Sequence, residues 1–274
     1  MVVLNWLESL LYGLLSGFAE FLPISSEAHR TLFLKLVGAG DDPVFRLAVH
    51  LGALLAVIIC SATYISKLNR ERRIAAIPKR KRKRQPDLRT ILDLKVLRIA
   101  TIAILLWFIS YPFVWDQGQR LWILSLALVI NGIILYVPQH YPSGNKDSLN
   151  LSALDSFLVG LLSGLGVFPG VSRLGGAVSA AQLRGADTKF AVDIGVLLYI
   201  PAAIALVAFD CYGIFTGGGT FHLLYFLTAG AASFGGACCG IYLIRFLAVK
   251  SGFSGFAFYS WGAALLALML YLAT

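Results

Sequence analysis

The sequence predicts an all-α integral membrane protein, with six transmembrane helices plus two re-entrant helical hairpins arranged as an inverted-topology repeat. Composition is the first reason. Hydrophobic residues fill 58% of the 274 positions and charged residues only 14%, with a mean hydropathy of +0.78, a balance that no soluble core of this size requires. Self-similarity is the second. Gly13-Leu14-Leu15-Ser16-Gly17 recurs letter for letter, at a 147-residue offset, as Gly160-Leu161-Leu162-Ser163-Gly164, and Leu47 to Leu55 aligns with Phe190 to Leu198. Repeats in an apolar chain mark membrane proteins whose site lies where the repeats meet.

Taken in order, the apolar stretch 4–37 is broken by Gly and Pro and holds Ser, Glu, His and Arg. Such breaks are tolerated at membrane depth only where protein or a wet cavity surrounds them, so it reads as a re-entrant hairpin. Runs long enough to span a bilayer, roughly 20 residues, follow at about 44–66, 96–115 and 119–137. The stretch 151–185 is a second broken hairpin, and spans follow at about 189–210, 221–247 and 254–273. The chain is therefore one membrane domain, 1–274, built from halves 4–137 and 151–273. Three spans per half make the second half enter from the opposite face.

Charge sets the orientation. Eleven Lys and Arg lie between Lys67 and Arg89, inside an expected loop 67–95. In a soluble protein that run would suggest nucleic-acid contact. Between two spans it reads as a cytoplasmic loop touching anionic lipid headgroups, with no nucleic-acid partner. Both termini and the mouth of the first hairpin then face outside, the mouth of the second faces inside, and Arg245 and Lys250 fall on the cytoplasmic side. Met1 to Asn5 lacks the basic region of a cleavable signal peptide. Cys60, Cys211, Cys238 and Cys239 have no metal-ligand spacing and read as packing residues.

Ionisable groups buried in a bilayer are functional candidates by default. The first hairpin offers Glu20, Ser25, Ser26, Glu27, His29 and Arg30; the second offers Arg173 in Phe168-Pro-Gly-Val-Ser-Arg173. Pro23 and Pro169-Gly170 stop one half-helix, and Ser25 or Ser172 can cap the next. A half-helix N-terminus is an anion site, and an Arg there adds a planar fork suited to phosphate. Gly170, Ser25, Ser172 and Arg173 are thus the candidate phosphate binders. Arg173 reads as a phosphate clamp or as a salt-bridge partner of Glu20. His29 suits general acid–base work or a structural hydrogen bond. Ser26, three residues before His29, is a nucleophile whose proton the imidazole can take, or a helix cap. Glu20 can bind Mg²⁺ or Ca²⁺ or orient His29. His50, aligned with Asp193, reads as a partner behind the site or as a core histidine.

The motifs Glu20-Phe-Leu-Pro-Ile-Ser-Ser-x-x-His29, Pro169-Gly-Val-Ser-Arg173 and Leu-Leu-x-Ile-Pro201 resemble the undecaprenyl-diphosphate phosphatase family of the bacitracin-resistance type, from about residue 4 to 273. The resemblance implies an enzyme of the cell membrane that removes the terminal phosphate of undecaprenyl diphosphate and recycles the carrier lipid for cell-wall synthesis. Its site would face the periplasmic or outer side, with Glu20, Ser26, His29 and Arg173 as catalytic residues, a divalent metal, Mg²⁺ or Ca²⁺, as cofactor, and a homodimer allowed. Where that family carries Glu or Gln four residues before Glu20, this chain has Ser16. Its Thr-Gly before the His is Glu27-Ala28 here, and its small hydroxyl residues after Arg173 are Leu174 and Ala177. Glu27 is therefore a second candidate metal ligand beside Glu20. The alternative function is a lipid-phosphate carrier or flippase of the same architecture without hydrolysis.

Overall fold

The structure is a computed structural model that describes residues 4–114, 120–142, 144–219, 221–250 and 253–273. Residues 1–3, the ends of two expected spans at 115 and 119, and the Lys250 side chain lie outside the described residues. The regular structure is helical: α1 (Trp6–Glu20), α2 (Ser26–Val37), α3 (Pro43–Cys60), α4 (Ala62–Ala76), α5 (Leu88–Trp107), α6 (Tyr111–Val114), α7 (Leu121–Tyr136), α8 (Ala153–Gly164), α9 (Arg173–Leu183), α10 (Thr188–Gly217), α11 (Leu223–Lys250) and α12 (Ser254–Ala273).

The repeat in sequence is a repeat in local structure. Asn5 and Glu8 close a capping box on α1, and Ser152 and Asp155, at the same 147-residue offset, close one on α8. The repeated glycines explain why the phrase is said twice. A Cβ on Gly13 or Gly17 would overlap the backbone of Ala229 or Ser233 on α11; on Gly160 it would overlap the Ala100 backbone on α5, and on Gly164 the Trp107 indole. Small residues four apart let helix backbones approach closely where lipid gives no hydrophobic drive to association. So α1 seats on α11 and α8 seats on α5, while α3 also packs on α11 and α10 on α5. The halves interlock, with α3 against α10 and α7 against α12.

Among the described residues, five helices are long and apolar enough to cross a membrane: α3, α7 with its following turn, α10, α11 and α12. Leu55, Ile133, Tyr242 and Leu265 are exposed on them, an apolar exterior that suits hydrocarbon. The chain is a multi-pass membrane protein. The span expected over 96–115 differs in register: α5 starts at Leu88, so Arg89, Asp93 and Lys95 enter its first half, Arg98 lies just past its middle, and all four lower its hydropathy.

The expected loop 67–95 is mostly helix. A break at Ser61 ends α3, and the Lys, Arg and Glu residues that follow are good helix formers, so α4 continues to Ala76. Only 77–87 separates it from α5, which Asp87 caps by accepting the Arg89 N–H at 3.2 Å. Glu71 organises this segment: hydrogen bonds from Arg84, the Asp87 N–H and Arg70 hold its carboxyl down at about 2.

Candidate functional site

The two hairpin breaks meet in the protein interior. The first runs from the end of α1 at Glu20 to Ser25, which caps α2 with φ of 66°, the one positive φ outside glycine among the described residues. Backbone strain of this kind persists only where the surroundings fix it. Here the Ser25 Oγ accepts the Ala28 N–H at 3.4 Å and, from the other hairpin, the Gly170 N–H at 3.1 Å. The second break runs through Leu165–Val167 to Ser172, which caps α9 by accepting the Gly175 N–H at 3.1 Å and donates to the Leu22 carbonyl at 3.3 Å. Asn131 of α7 ties both together: its Nδ2 donates to the Pro23 carbonyl at 3.1 Å and to Ser260 at 2.9 Å, while its Oδ1 accepts the Ser172 N–H at 2.8 Å.

This frame sets three functional side chains in line. The Ser26 hydroxyl donates to Glu20 Oε2 at 2.5 Å. Glu20 Oε1 accepts from Arg173 Nε at 3.2 Å and also pairs with an Arg173 terminal nitrogen. The guanidinium lies 5.9 Å from the Tyr199 ring centroid, and its other terminal nitrogen donates to the Gly166 carbonyl at 3.4 Å. Glu20 and Ser26 are buried and Arg173 keeps a small exposed edge, and with Ser25, Glu27 and Ser172 they line one narrow pocket. A charge-assisted pair of this geometry in a low-dielectric site orients the serine oxygen and fixes its proton acceptor.

His29 is placed elsewhere, which corrects the expected Ser26–His29 pair. Its Nδ1 hydrogen-bonds the Ser25 carbonyl at 2.8 Å, and since a carbonyl only accepts, the proton sits on Nδ1. The Nε2 then accepts the Tyr259 hydroxyl at 2.6 Å, with the two rings stacked. One helical turn separates Ser26 from His29 along α2, yet the serine turns back to Glu20 and the imidazole turns out to α12. There it borders an apolar groove of about 450 Å³ walled by Leu15, Leu32, Phe33, Leu36 and Leu266.

Ser172 lines the pocket and Gly170 does not, and the polar atoms of both hold the hairpins together. Ser16 bonds back to the Tyr12 carbonyl at 2.5 Å, and Leu174 and Ala177 are buried among apolar neighbours. The carboxylates do not fit a resident divalent ion: both Glu20 oxygens are engaged, Glu27 is paired with Arg30, and no cluster of three metal-binding side chains occurs among the described residues. Sequence reasoning passed over Asn131, Tyr199, Tyr259 and Asp210. Asn131 and Asp210 each left a signal, a lone polar side chain in an apolar span. Tyr199 and Tyr259 left none that separates them from core and interface aromatics.

The chain is similar to known proteins over most of its length. A protein named undecaprenyl-diphosphatase from Nocardioides sp. is 29% identical over 275 residues, covering 97% of each chain. One of the same name from Micrococcus luteus is 30% identical over 256 residues, covering 90% of this chain and 91% of the relative. Undecaprenyl-diphosphatase 4 of Bacillus thuringiensis subsp. konkukian is 29% identical over 270 residues, covering 97% and 98%. The model of the family described as bacitracin resistance protein BacA matches from residue 9 to residue 266, and the chain belongs to that family.

Proposed function

We propose that this chain is a membrane hydrolase that removes the terminal phosphate of undecaprenyl diphosphate and returns the monophosphate to cell-wall synthesis. The relatives' names supply the substrate. The observation that carries the chemistry is the Ser26–Glu20–Arg173 line across the two hairpins. In this reading the Ser26 oxygen attacks the terminal phosphorus while Glu20 takes its proton. The Ser26–phosphorus bond forms as the anhydride bond to the bridging oxygen breaks, and the prenyl monophosphate leaves. Glu20 then passes that proton to the departing phosphate oxygen or to solvent, so it is a free base again. Water attacks the same phosphorus and gives a proton to Glu20, the Ser26–phosphorus bond breaks, and Glu20 returns the proton to the Ser26 oxygen as inorganic phosphate leaves. Arg173 exchanges Glu20 for the phosphoryl oxygens as charge builds on them.

His29 is a positioning residue, holding the strained Ser25 carbonyl on one side and Tyr259 on the other. Because Glu20 and Glu27 are paired with arginines, no step runs through a resident metal; a divalent ion such as Mg²⁺ or Ca²⁺ would arrive with the substrate and supply charge neutralisation there. In the membrane, α5 is the sixth span, the pairs α1–α2 and α8–α9 are re-entrant, and an in-plane two-fold axis relates the halves 4–137 and 151–273. The matched packing of α1 on α11 and α8 on α5 supports that symmetry. The basic segment around α4 faces the cytoplasm and its anionic lipids, and the first hairpin opens outside. A hydroxyl bonded to a carboxylate favours hydrolysis over a carrier without it. Phosphate release from a prenyl diphosphate by purified protein in detergent tests the reading: steady release supports it, and none across a metal and pH screen promotes the carrier.

A further inference from the structure

Behind the pocket lies a second set of buried charges that the reaction above does not use. Glu27 lines the pocket and pairs with Arg30. Arg30 lies 3.0 Å from His50 Nε2, His50 Nδ1 lies 2.6 Å from Asp210 Oδ2, and Asp210 Oδ1 accepts from Arg46 Nε at 2.9 Å, with Arg46 paired in turn to Asp41. The side chains of Glu27, Arg30, His50 and Asp210 are no more than 5% exposed. Buried ion pairs are weak contributors to stability and are often replaceable by apolar packing, so stability alone is a poor reason for these four side chains to run from a span to the pocket wall.

Their hydrogen bonds have a single polarity. A guanidinium only donates, so His50 Nε2 accepts from Arg30; Nδ1 carries the proton and donates to Asp210. His50 is thereby neutral and fixed in one orientation, as a carboxylate fixes a histidine behind a metal or a nucleophile. Arg30 is held by His50 on one arm and holds Glu27 with the other; Glu27 Oε1 also lies 3.9 Å from His50 Nε2. The pocket is then lined by two carboxylates, Glu20 and Glu27, each paired with its own arginine.

We infer that Glu27 is a second working carboxylate of the pocket and that Arg30, His50 and Asp210 are positioning residues that hold it aimed there. The inference rests on the hydrolase reading. It is tested with the full-length protein in detergent, a prenyl diphosphate, and both kcat and KM. Glu27→Gln lowers kcat about tenfold or more, since a misplaced functional group of this kind costs at least that much. His50→Leu lowers kcat similarly, with KM changed less than about threefold, because its partner's aim is lost and the substrate's own contacts are kept. His50→Gln, whose amide can donate to Asp210 and accept from Arg30, stays within about threefold of wild type; a proton-carrying histidine would not be rescued this way. In the Glu27→Gln background His50→Leu has no further effect, because it acts only through Glu27. Multiplying effects in the double variant, or Glu27→Gln within threefold of wild type, overturn the inference. If His50→Leu gives no folded protein, Arg30→Lys takes its place with the same outcomes. An inactive wild type instead removes the hydrolase reading, and this inference falls with it.

Discussion

The two hairpins share a glycine phrase, a capping box and a capping serine at the break, yet the first holds most of the polar and ionisable groups and the second little more than a counter-charge. In the first, Glu20, Ser26, Glu27, His29 and Arg30 crowd a break of five residues, and Ser25 bears a left-handed backbone to make the turn. In the second, a turn at Leu165–Val167 and Pro169-Gly170 carry Arg173 alone to the same point. The repeated glycines sit where another helix comes close, against backbone at Gly13, Gly17 and Gly160 and against the Trp107 indole at Gly164. The polar residues differ between the copies, Glu20 and Ser26 coming from one hairpin and Arg173 from the other.

That comparison can be broken at several points. Glu20→Gln removes the proton acceptor of Ser26 from the reactive hairpin, and kcat falls about 10²-fold or more; a smaller loss would move the base elsewhere. The packing half of the comparison is asymmetric in a measurable way. A methyl on Gly17 meets Ser233 backbone, which cannot yield, whereas one on Gly164 meets the Trp107 side chain, which can. Gly17→Ala therefore destabilises by about 1–3 kcal/mol and Gly164→Ala by less, read from thermal unfolding in detergent. In the second hairpin, Arg173→Lys keeps charge and loses the fork, and kcat/KM falls about tenfold. The smallest effect is at His29: with its ring turned to Tyr259, His29→Ala lowers kcat only about three- to tenfold, below the loss at Glu20. An equal loss at both would mean that the imidazole reaches Ser26 during turnover.

Much of this was legible in the sequence. Composition and repeat gave the membrane class and the paired breaks, and Pro23, Pro169 and the capping serines marked their positions. The polar residues inside them pointed to the pocket that Glu20, Ser26 and Arg173 now share. What stayed hidden depended on rotation and distance. Spacing along α2 puts Ser26 and His29 on neighbouring turns, and nothing in one helix says that Glu20 and Tyr259 from two others draw them apart. The Ser61 break and the helical course of 62–76 were missed because hydropathy reads polarity, and a charged segment held by Glu71 and Arg84 looks the same as a loop. Asp210 looked like the end of a span, and only the fold brings it to His50.

The central claim is that Ser26, with its proton on Glu20, is the attacking group. The direct measurement is phosphate release from prenyl diphosphate by wild type and by Ser26→Ala, each verified as folded and substrate-binding in the same detergent. Steady release by wild type with a fall of about 10²-fold or more in the variant is the predicted result. Release by Ser26→Ala within threefold of wild type would contradict it.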